Sequence, residues 1–529
     1  MPVFLCIPPV SSLVPYPAIP YLTSSLKANN QKVSTFDLNI KAFNLTLLHQ
    51  GLEIKPGNIL RKSDNQESAK WKKIPDAEIY STIQYGQKLF EDIMLKEASD
   101  QLGYPYSNSM SKDIISKESK RATLSDVWKI SNDWFLEIAN DPNKQSIVGF
   151  HVITNTGLLW SVLLARKLKK TQPRILTVLG GPAFASWEEV LSANQEIDVT
   201  VRGEGEATIC DIANSYKGNL ESFQGIAGIS FRNEKGKIIS NADRPLIKSL
   251  DDLPFPDYDN LPLEEYPQNK FGMPIMPVVG SRGCVGDCVF CVERRLWGNT
   301  YRMRSPENIV SEFKNIKEKY GVSNIRFNDS LINCNIKSLE KLCDLLIEEN
   351  IGMQWMGMAR VRSEMNDKLL GKMRQAGCMG LWFGIESGSQ RILRKMKKGY
   401  DIETAKNVIH DAAKNGIRVL TFMIVDFPGE TQRDFEQSVA FLEQNHEFID
   451  QVTISRFGVL PDSEISHNPQ EYGIELTKGK TGVNYSYFYS PLPDSYRYEN
   501  LRSVWNRLNM EKTSGPKRSY PLKIIVPYY

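Results

Sequence analysis

Short apolar runs alternate with amphipathic, helix-spaced stretches along most of this chain. Pro2-Val3-Phe4-Leu5-Cys6-Ile7 is continuously apolar and closed by Pro8-Pro9, which predicts a buried strand. Tyr16 to Ala28 has helical spacing, with Leu22 and Leu26 on one face, and Val33 to Asn39 predicts a second strand. Strand, helix and strand in quick succession make a parallel βαβ start. Residues 40–145 break the rhythm: they are polar and mostly helical in tendency, with Trp71, Trp128 and Trp134, and they predict a helical insertion. The alternation resumes with strands at Ile147–Ile153, Ile175–Leu179 and Ile197–Val201 and an amphipathic helix from Gly157 to Lys170. Two of these strands end in Gly180-Gly181-Pro182 and Arg202-Gly203-Glu204-Gly205-Glu206, where glycine lets backbone or ligand approach closely. The pattern predicts an α/β fold with a doubly wound, Rossmann-like sheet, which binds ligands beyond the carboxyl ends of its strands.

Leu250 to Lys270, rich in Pro, Asp, Leu and Tyr, predicts a linker. From Met276 the period becomes that of a barrel. Strands are expected at Ser323–Phe327, Gln354–Met358, Gly380–Ile385, Arg418–Val425 and Gln451–Phe457, with helices between them. Six units make a partial (β/α)6, TIM-like barrel. The expected organisation is a doubly wound domain over 1–245, a linker over 246–271, a barrel over 272–460 and a C-terminal α/β extension over 461–529 that shapes a substrate pocket.

Composition narrows the class little. Formal net charge is +3, so charge alone implies no nucleic-acid partner. No run approaches the roughly 20 apolar residues that span a bilayer, and no signal peptide is expected at the N-terminus. The cysteines change the picture. Cys284, Cys288 and Cys291 stand at C-x3-C-x2-C spacing in a short loop after the apolar run Pro274–Val279, while Cys6, Cys210, Cys334, Cys343 and Cys378 are scattered. That scatter suggests a reducing, cytoplasmic location rather than a disulfide framework. Thiolates are the soft ligands of iron–sulfur clusters, and three ligands on four irons leave one iron open. A zinc site would want a fourth Cys or His nearby, and none follows; three reduced structural thiols are the remaining alternative.

The triplet with Phe290 before its last cysteine resembles the radical SAM superfamily. The Gly-Gly-Pro and Arg-Gly-Glu-Gly-Glu turns upstream resemble the cobalamin-binding domain that precedes the barrel in many of its members. The resemblance implies a 4Fe–4S cluster on Cys284, Cys288 and Cys291, S-adenosylmethionine on its open iron, and cobalamin in the first domain. Gly384-Ile385-Glu386-Ser387-Gly388 looks like the family's fourth-strand signature, which implies that Glu386 and Ser387 hydrogen-bond the cofactor and Gly388 gives clearance. Asp329 and Arg360, at the ends of the second and third strands, are further candidates. Gly180, Gly181, Gly203, Glu204, Gly205 and the strand-end His151 are candidates for cobalamin contact. The Asp-x-His-x-x-Gly signature of cobalt-ligating proteins is absent, which argues against a lower histidine ligand. Asp426 and Arg362 depart from the family pattern. Lys395-Met396-Lys397-Lys398 reads as a solvated face or as a neutraliser of a cofactor group. The methionines read as core packing, and Cys334, Cys343 and Cys378 as small buried hydrophobes.

The resemblance implies methyl transfer to an unactivated carbon through a 5′-deoxyadenosyl radical and methylcobalamin. Rearrangement, ring contraction or cyclisation is the alternative, and a non-catalytic sensor is the reading from another class. A small-molecule or peptide substrate and an electron donor such as flavodoxin or ferredoxin are the implied partners, with no nucleic acid and no membrane.

Overall fold

The computed structural model describes residues 2–8, 15–49, 146–182, 187–266, 275–481, 484–490 and 496–513, and the shorter stretches 52–55, 58–62, 71–73, 94, 98, 101–102 and 124–140. The first sheet contains β1 (Pro2–Ile7) and β2 (Lys32–Asp37). A separate antiparallel sheet of β3 (Leu52–Lys55), β4 (Asn58–Lys62) and β5 (Trp71–Lys73) follows. The first sheet then resumes with β6 (Ile147–His151), β7 (Leu176–Gly180), β8 (Val199–Val201), β9 (Ile229–Arg232) and β10 (Ile238–Ser240), in the order β10-β9-β8-β7-β6-β1-β2. Five neighbouring strands are parallel, and β9 and β10 add an antiparallel edge. Strand order therefore reverses between β1 and β6, the topological switch point where such sheets bind ligands.

Successive side chains on a strand point to opposite faces, so both faces of this sheet are apolar. Val3, Leu5, Ile7 and Val178 pack on one side, and Phe4, Cys6, Val148, Phe150 and Leu179 on the other. The expectation of a helical insertion is corrected in part. Helices Leu38–His49 and Leu124–Ala139 border the segment, but the β3–β5 sheet lies between them. The second helix belongs to the sheet's own covering layer: Trp134 stacks on Phe36 at 5.3 Å and Ile138 is buried with Phe150.

In the second half, β11 (Met276–Val278) begins a sheet, and β12 (Ser281–Gly283) pairs with β13 (Tyr301–Met303) as an antiparallel hairpin. The sheet continues through β14 (Asn324–Phe327), β15 (Gln354–Ala359), β16 (Cys378–Glu386), β17 (Arg418–Val425) and β18 (Gln451–Arg456), all parallel and in chain order. This is the predicted six-strand open barrel. Its helices begin where the sequence supplies caps: Ser305, Asn335, Asn366, Asp401 and Thr431 each accept a backbone N–H with the side chain. The methionines divide between two layers. Met353, Met365 and Met373 pack under the helices, whereas Met356 and Met358 join Ile275, Met379, Trp382 and Leu420 in a separate cluster. In the C-terminal extension, β19 (Glu475–Thr481) pairs with β20 (Asn484–Ser490), which carries the aromatic stretch Tyr485–Tyr489; the side chains of β20 lie outside the described residues.

The segment between the sheets is a strap. Asp257 pairs with Lys27 at 2.6 Å, the Tyr258 hydroxyl donates to the Pro277 carbonyl at 2.7 Å, and the Tyr266 hydroxyl donates to Asp37.

Candidate functional site

The cysteine loop hangs from the β12–β13 hairpin rather than directly from β11. Gly283 makes this possible: its φ is +98°, and a Cβ there would lie 1.9 Å from the Thr300 carbonyl oxygen. Asp329 anchors the hairpin, accepting the Gly280 N–H at 2.7 Å and the Ser281 hydroxyl at 2.6 Å. Burial lifts the Asp329 carboxyl to about 7, although these hydrogen bonds favour its charged form. Asp329 thus positions the hairpin through both of its oxygens. At its far end the loop is pinned by Val289, whose N–H donates to Met396 at 3.2 Å and whose carbonyl accepts from Ile465 at 3.0 Å. Phe290 packs with that same apolar cluster.

The eight cysteines fall into two groups. Cys6, Cys210, Cys343 and Cys378 are buried, while Cys284, Cys288, Cys291 and Cys334 are partly open. Cys334 is therefore not the small buried hydrophobe the sequence suggested. Its thiol donates a hydrogen bond to the Cys284 sulfur, and this contact, ahead of the Gly286 N–H at 3.2 Å and the Arg360 charge, draws the Cys284 thiol down to about 6 despite burial. Burial raises Cys288 and pushes Cys291 up to about 12, so these sulfurs need a bound cation to become thiolates. Among the described residues, no three Cys, His, Asp or Glu side chains gather as a single metal ion requires. Three partly open thiols on one short loop fit a cluster, which spreads its ligands further apart than one zinc does.

Beside the loop stand cations from two barrel elements. Arg360 donates to the Lys398 carbonyl and lies so close to Gly286 that a Cβ there would meet its Nη1 at 2.5 Å. Asn333, fully buried, holds the Arg360 backbone by accepting its N–H at 2.9 Å and donating to its carbonyl at 2.8 Å. Lys398 is buried and pairs with Glu386 at 3.1 Å. Burial opposes the ammonium charge, but the Glu386 carboxylate more than offsets this and holds Lys398 above the usual lysine range. The sequence left the run that holds Lys398 between a solvated face and a neutraliser of a cofactor group. The apolar Met396 and the turn-forming Gly399, with φ +73°, were the available signs that the run folds inward.

Glu386 ends β16 at φ +65°, a conformation that a non-glycine residue holds only when its surroundings enforce it. The two residues after it pack against the helix Gln432–Asn445. Ser387 is fully buried with its hydroxyl 3.2 Å from that of Ser438, and a Cβ on Gly388 would lie 2.4 Å from the Gln437 carbonyl oxygen. The clearance at Gly388 admits the helix Gln432–Asn445. Asp426 has φ +65° at the end of β17, where its N–H donates to Glu430 at 2.8 Å and Arg456 approaches at 3.2 Å. Arg362 braces the β14 loop through the Asn333 and Cys334 carbonyls at 3.1 and 2.9 Å.

Beyond the switch point of the first sheet lies a cavity of about 620 Å³. His151, Gly180, Gly181, Gly203, Glu204 and Gly205 all line it. Gly181 has φ +135°, and a Cβ there would clash with the Val152 carbonyl at 2.0 Å, so the wall stays open only with glycine. His151 meets Tyr16 edge-on at 5.7 Å, and burial lowers its imidazole to about 4, which keeps it neutral. Glu204 is already engaged. It accepts from Arg282 at 2.5 Å, from Arg302 at 3.0 Å and from the Ile247 N–H at 2.6 Å. The barrel closes the far side of the cavity with Val279, Ser281, Arg282 and Trp297. Its volume and its mixed lining of aliphatic, aromatic and charged side chains suit a large amphipathic ligand.

A model of the radical SAM superfamily matches residues 278–442. An uncharacterized methyltransferase of Pyrococcus horikoshii is 31% identical over 349 residues, covering 65% of this chain and 73% of that protein. The anaerobic magnesium-protoporphyrin IX monomethyl ester cyclase of Rubrivivax gelatinosus is 30% identical over 51% of this chain and 49% of the cyclase, so this chain spans about half of that enzyme. Among solved structures, the radical S-adenosylmethionine methyltransferase TsrM from Kitasatospora setae, with cobalamin and a [4Fe–4S] cluster bound, aligns with a TM-score of 0.60. The alignment covers 95% of this chain and 90% of that one at 15% identity, a likeness of fold. Among the described residues, no helix is long and apolar enough to cross a membrane.

Proposed function

This chain belongs to the radical SAM superfamily, and from that premise we propose that it is a cobalamin-dependent C-methyltransferase acting on an unactivated carbon. One observation carries the reading: the hairpin that bears the cysteine loop forms a wall of the cavity at the switch point of the first sheet. Two cofactor sites sharing a wall are what a reaction using both would need. The cluster and S-adenosylmethionine supply a carbon-radical oxidant, and the corrinoid supplies a methyl donor.

The residues of the chain bind and orient. Cys284, Cys288 and Cys291 would hold the cluster, with Cys284 already biased toward thiolate. Arg360 and Lys398 bring two cations to the loop, suited to an anionic group on a cofactor bound there, while Glu386 neutralises one of them and presents an acceptor. Gly181 keeps the corrinoid cavity open, and His151 enters it as a neutral imidazole. The substrate is a small molecule or a peptide, and a flavodoxin- or ferredoxin-type protein in the cytoplasm supplies electrons.

The test is product analysis with S-adenosylmethionine labelled in its methyl group. We expect label in the product, with deoxyadenosine and S-adenosylhomocysteine formed in comparable amounts. The similarity to a cyclase over half of this chain supports a second reading, ring formation with cobalamin in a redox role. A rearranged or cyclised product without label would select that reading and reject methyl transfer.

A further inference from the structure

The wall between the cavity and the cysteine loop is built from charges. Arg282 and Arg302 are register partners across the β12–β13 hairpin. Arg282 extends one terminal nitrogen to Glu204 at 2.5 Å and the other to Glu206. Arg302 reaches both oxygens of Glu204 at 3.0 Å and the Ile247 carbonyl at 2.6 Å. Trp297 lies between the two guanidinium groups, 5.7 and 5.8 Å from them. Glu204, Glu206 and Arg282 are 6, 7 and 7% exposed. The two carboxylates open the helix Gly205–Ser215, directly after the strand end that lines the cavity, and Arg282 stands two residues before Cys284.

Burying four charges is a poor way to glue two domains, because desolvation cancels most of the attraction. What such a constellation does supply is orientation. A guanidinium forked between two carboxylates fixes its own plane, and Arg302 on the paired strand adds a second tie from the hairpin to Glu204 and to the Ile247 carbonyl, through Nη1. A ligand entering the cavity lies along Glu204, Glu206 and Arg282, and any shift of the two carboxylates is carried by Arg282 into the segment that ends in Cys284. We propose that Glu204, Glu206, Arg282 and Arg302 form a positioning clamp through which occupancy of the cavity sets the geometry of the cysteine loop, so that the two cofactor sites bind cooperatively. The inference rests on the cobalamin reading above and concerns residues that touch neither reacting centre.

The experiment uses the full chain with a reconstituted cluster, and measures the affinity for S-adenosylmethionine with and without saturating hydroxocobalamin. By linkage the same factor must appear when the order of addition is reversed. We expect wild type to bind S-adenosylmethionine about tenfold more tightly when the cavity is filled. Arg282→Lys keeps the charge but cannot span two carboxylates, and it should lower that factor to less than twofold; Glu206→Gln should do the same. Iron content and the thermal transition report whether each variant folds, and Arg302→Met, which removes the Nη1 contacts to Glu204 and Ile247, is the second variant if Arg282→Lys does not. The Mössbauer spectrum of the oxidised cluster should change on adding hydroxocobalamin in wild type and not in the variants, a signature that mere interface glue would not move. Wild type that binds hydroxocobalamin without any change in S-adenosylmethionine affinity, or variants that keep the full factor, would overturn the clamp alone. Wild type that binds no hydroxocobalamin overturns the clamp and the cobalamin reading together.

Discussion

Among single residues, the thiols make the sharpest claim. Replacing Cys284, Cys288 and Cys291 with Ala should abolish the brown chromophore and deoxyadenosine formation; a full iron complement after reconstitution would refute the ligand assignment. Cys334→Ala should retain its iron, because Cys334 touches Cys284 from outside the loop. Lys398 was legible only as one member of a run read either as a solvated face or as a cofactor neutraliser, since basic runs usually face solvent. It owes its role to the buried Glu386 that it meets 12 residues back in the chain. Glu386→Ala removes that partner and leaves an ammonium buried alone, for which the expected loss is about 3 kcal/mol of stability. Weakened binding of S-adenosylmethionine should accompany it, read by equilibrium dialysis. Lys398→Met with Glu386→Gln should recover the stability and not the binding, a split that packing alone cannot produce.

At the level of elements, the hairpin β12–β13 is what turns a cysteine motif into a site. Gly283→Ala introduces a Cβ that overlaps the Thr300 carbonyl at a backbone angle alanine tolerates poorly. We expect Gly283→Ala to lower iron incorporation severalfold although every ligand is present; normal incorporation would show that the hairpin does not govern the loop. The strap between the two sheets makes a prediction of its own. Burial raises the Asp37 carboxyl to about 6, despite the hydrogen bonds from Tyr266 and the Ile40 N–H. A buried acid with a raised value binds more protons folded than unfolded, so its contribution falls as pH rises from about 4 through about 6. Above that window it costs on the order of 3 kcal/mol. Asp37→Asn should flatten this slope, which denaturant melts at pH 4.5 and at about pH 7.5 would reveal; an unchanged slope would remove Asp37 from the account.

Across the whole molecule, the prediction concerns how the halves depend on each other. Protein freed of cobalamin should lose S-adenosylhomocysteine formation and keep some deoxyadenosine, because the cysteine loop and its barrel are built without the first sheet's ligand. Equal loss of both products, measured in the same assay, would mean that the halves cannot act apart.

Much of this arrangement was legible in the chain. Apolar period alone marks the parallel strands, since a strand buried on both faces reads as an unbroken hydrophobic run and each barrel helix announces itself with a capping residue. The cysteine spacing marks the cluster loop because its ligands are local in sequence. What the chain could not disclose depends on distance in sequence. The β12–β13 pairing joins residues on either side of the loop it carries. The basic run from Lys395 to Lys398 divides between solvent and site only once Glu386 lies beneath it. Arg-Gly-Glu-Gly-Glu reads as a glycine turn for a ligand, yet 76 residues separate Glu206 from the Arg282 that claims it. Local pattern determines which residues are buried and in what elements; which buried charges meet is decided only when the two sheets are brought together, because a carboxylate's partner is chosen by space and not by period.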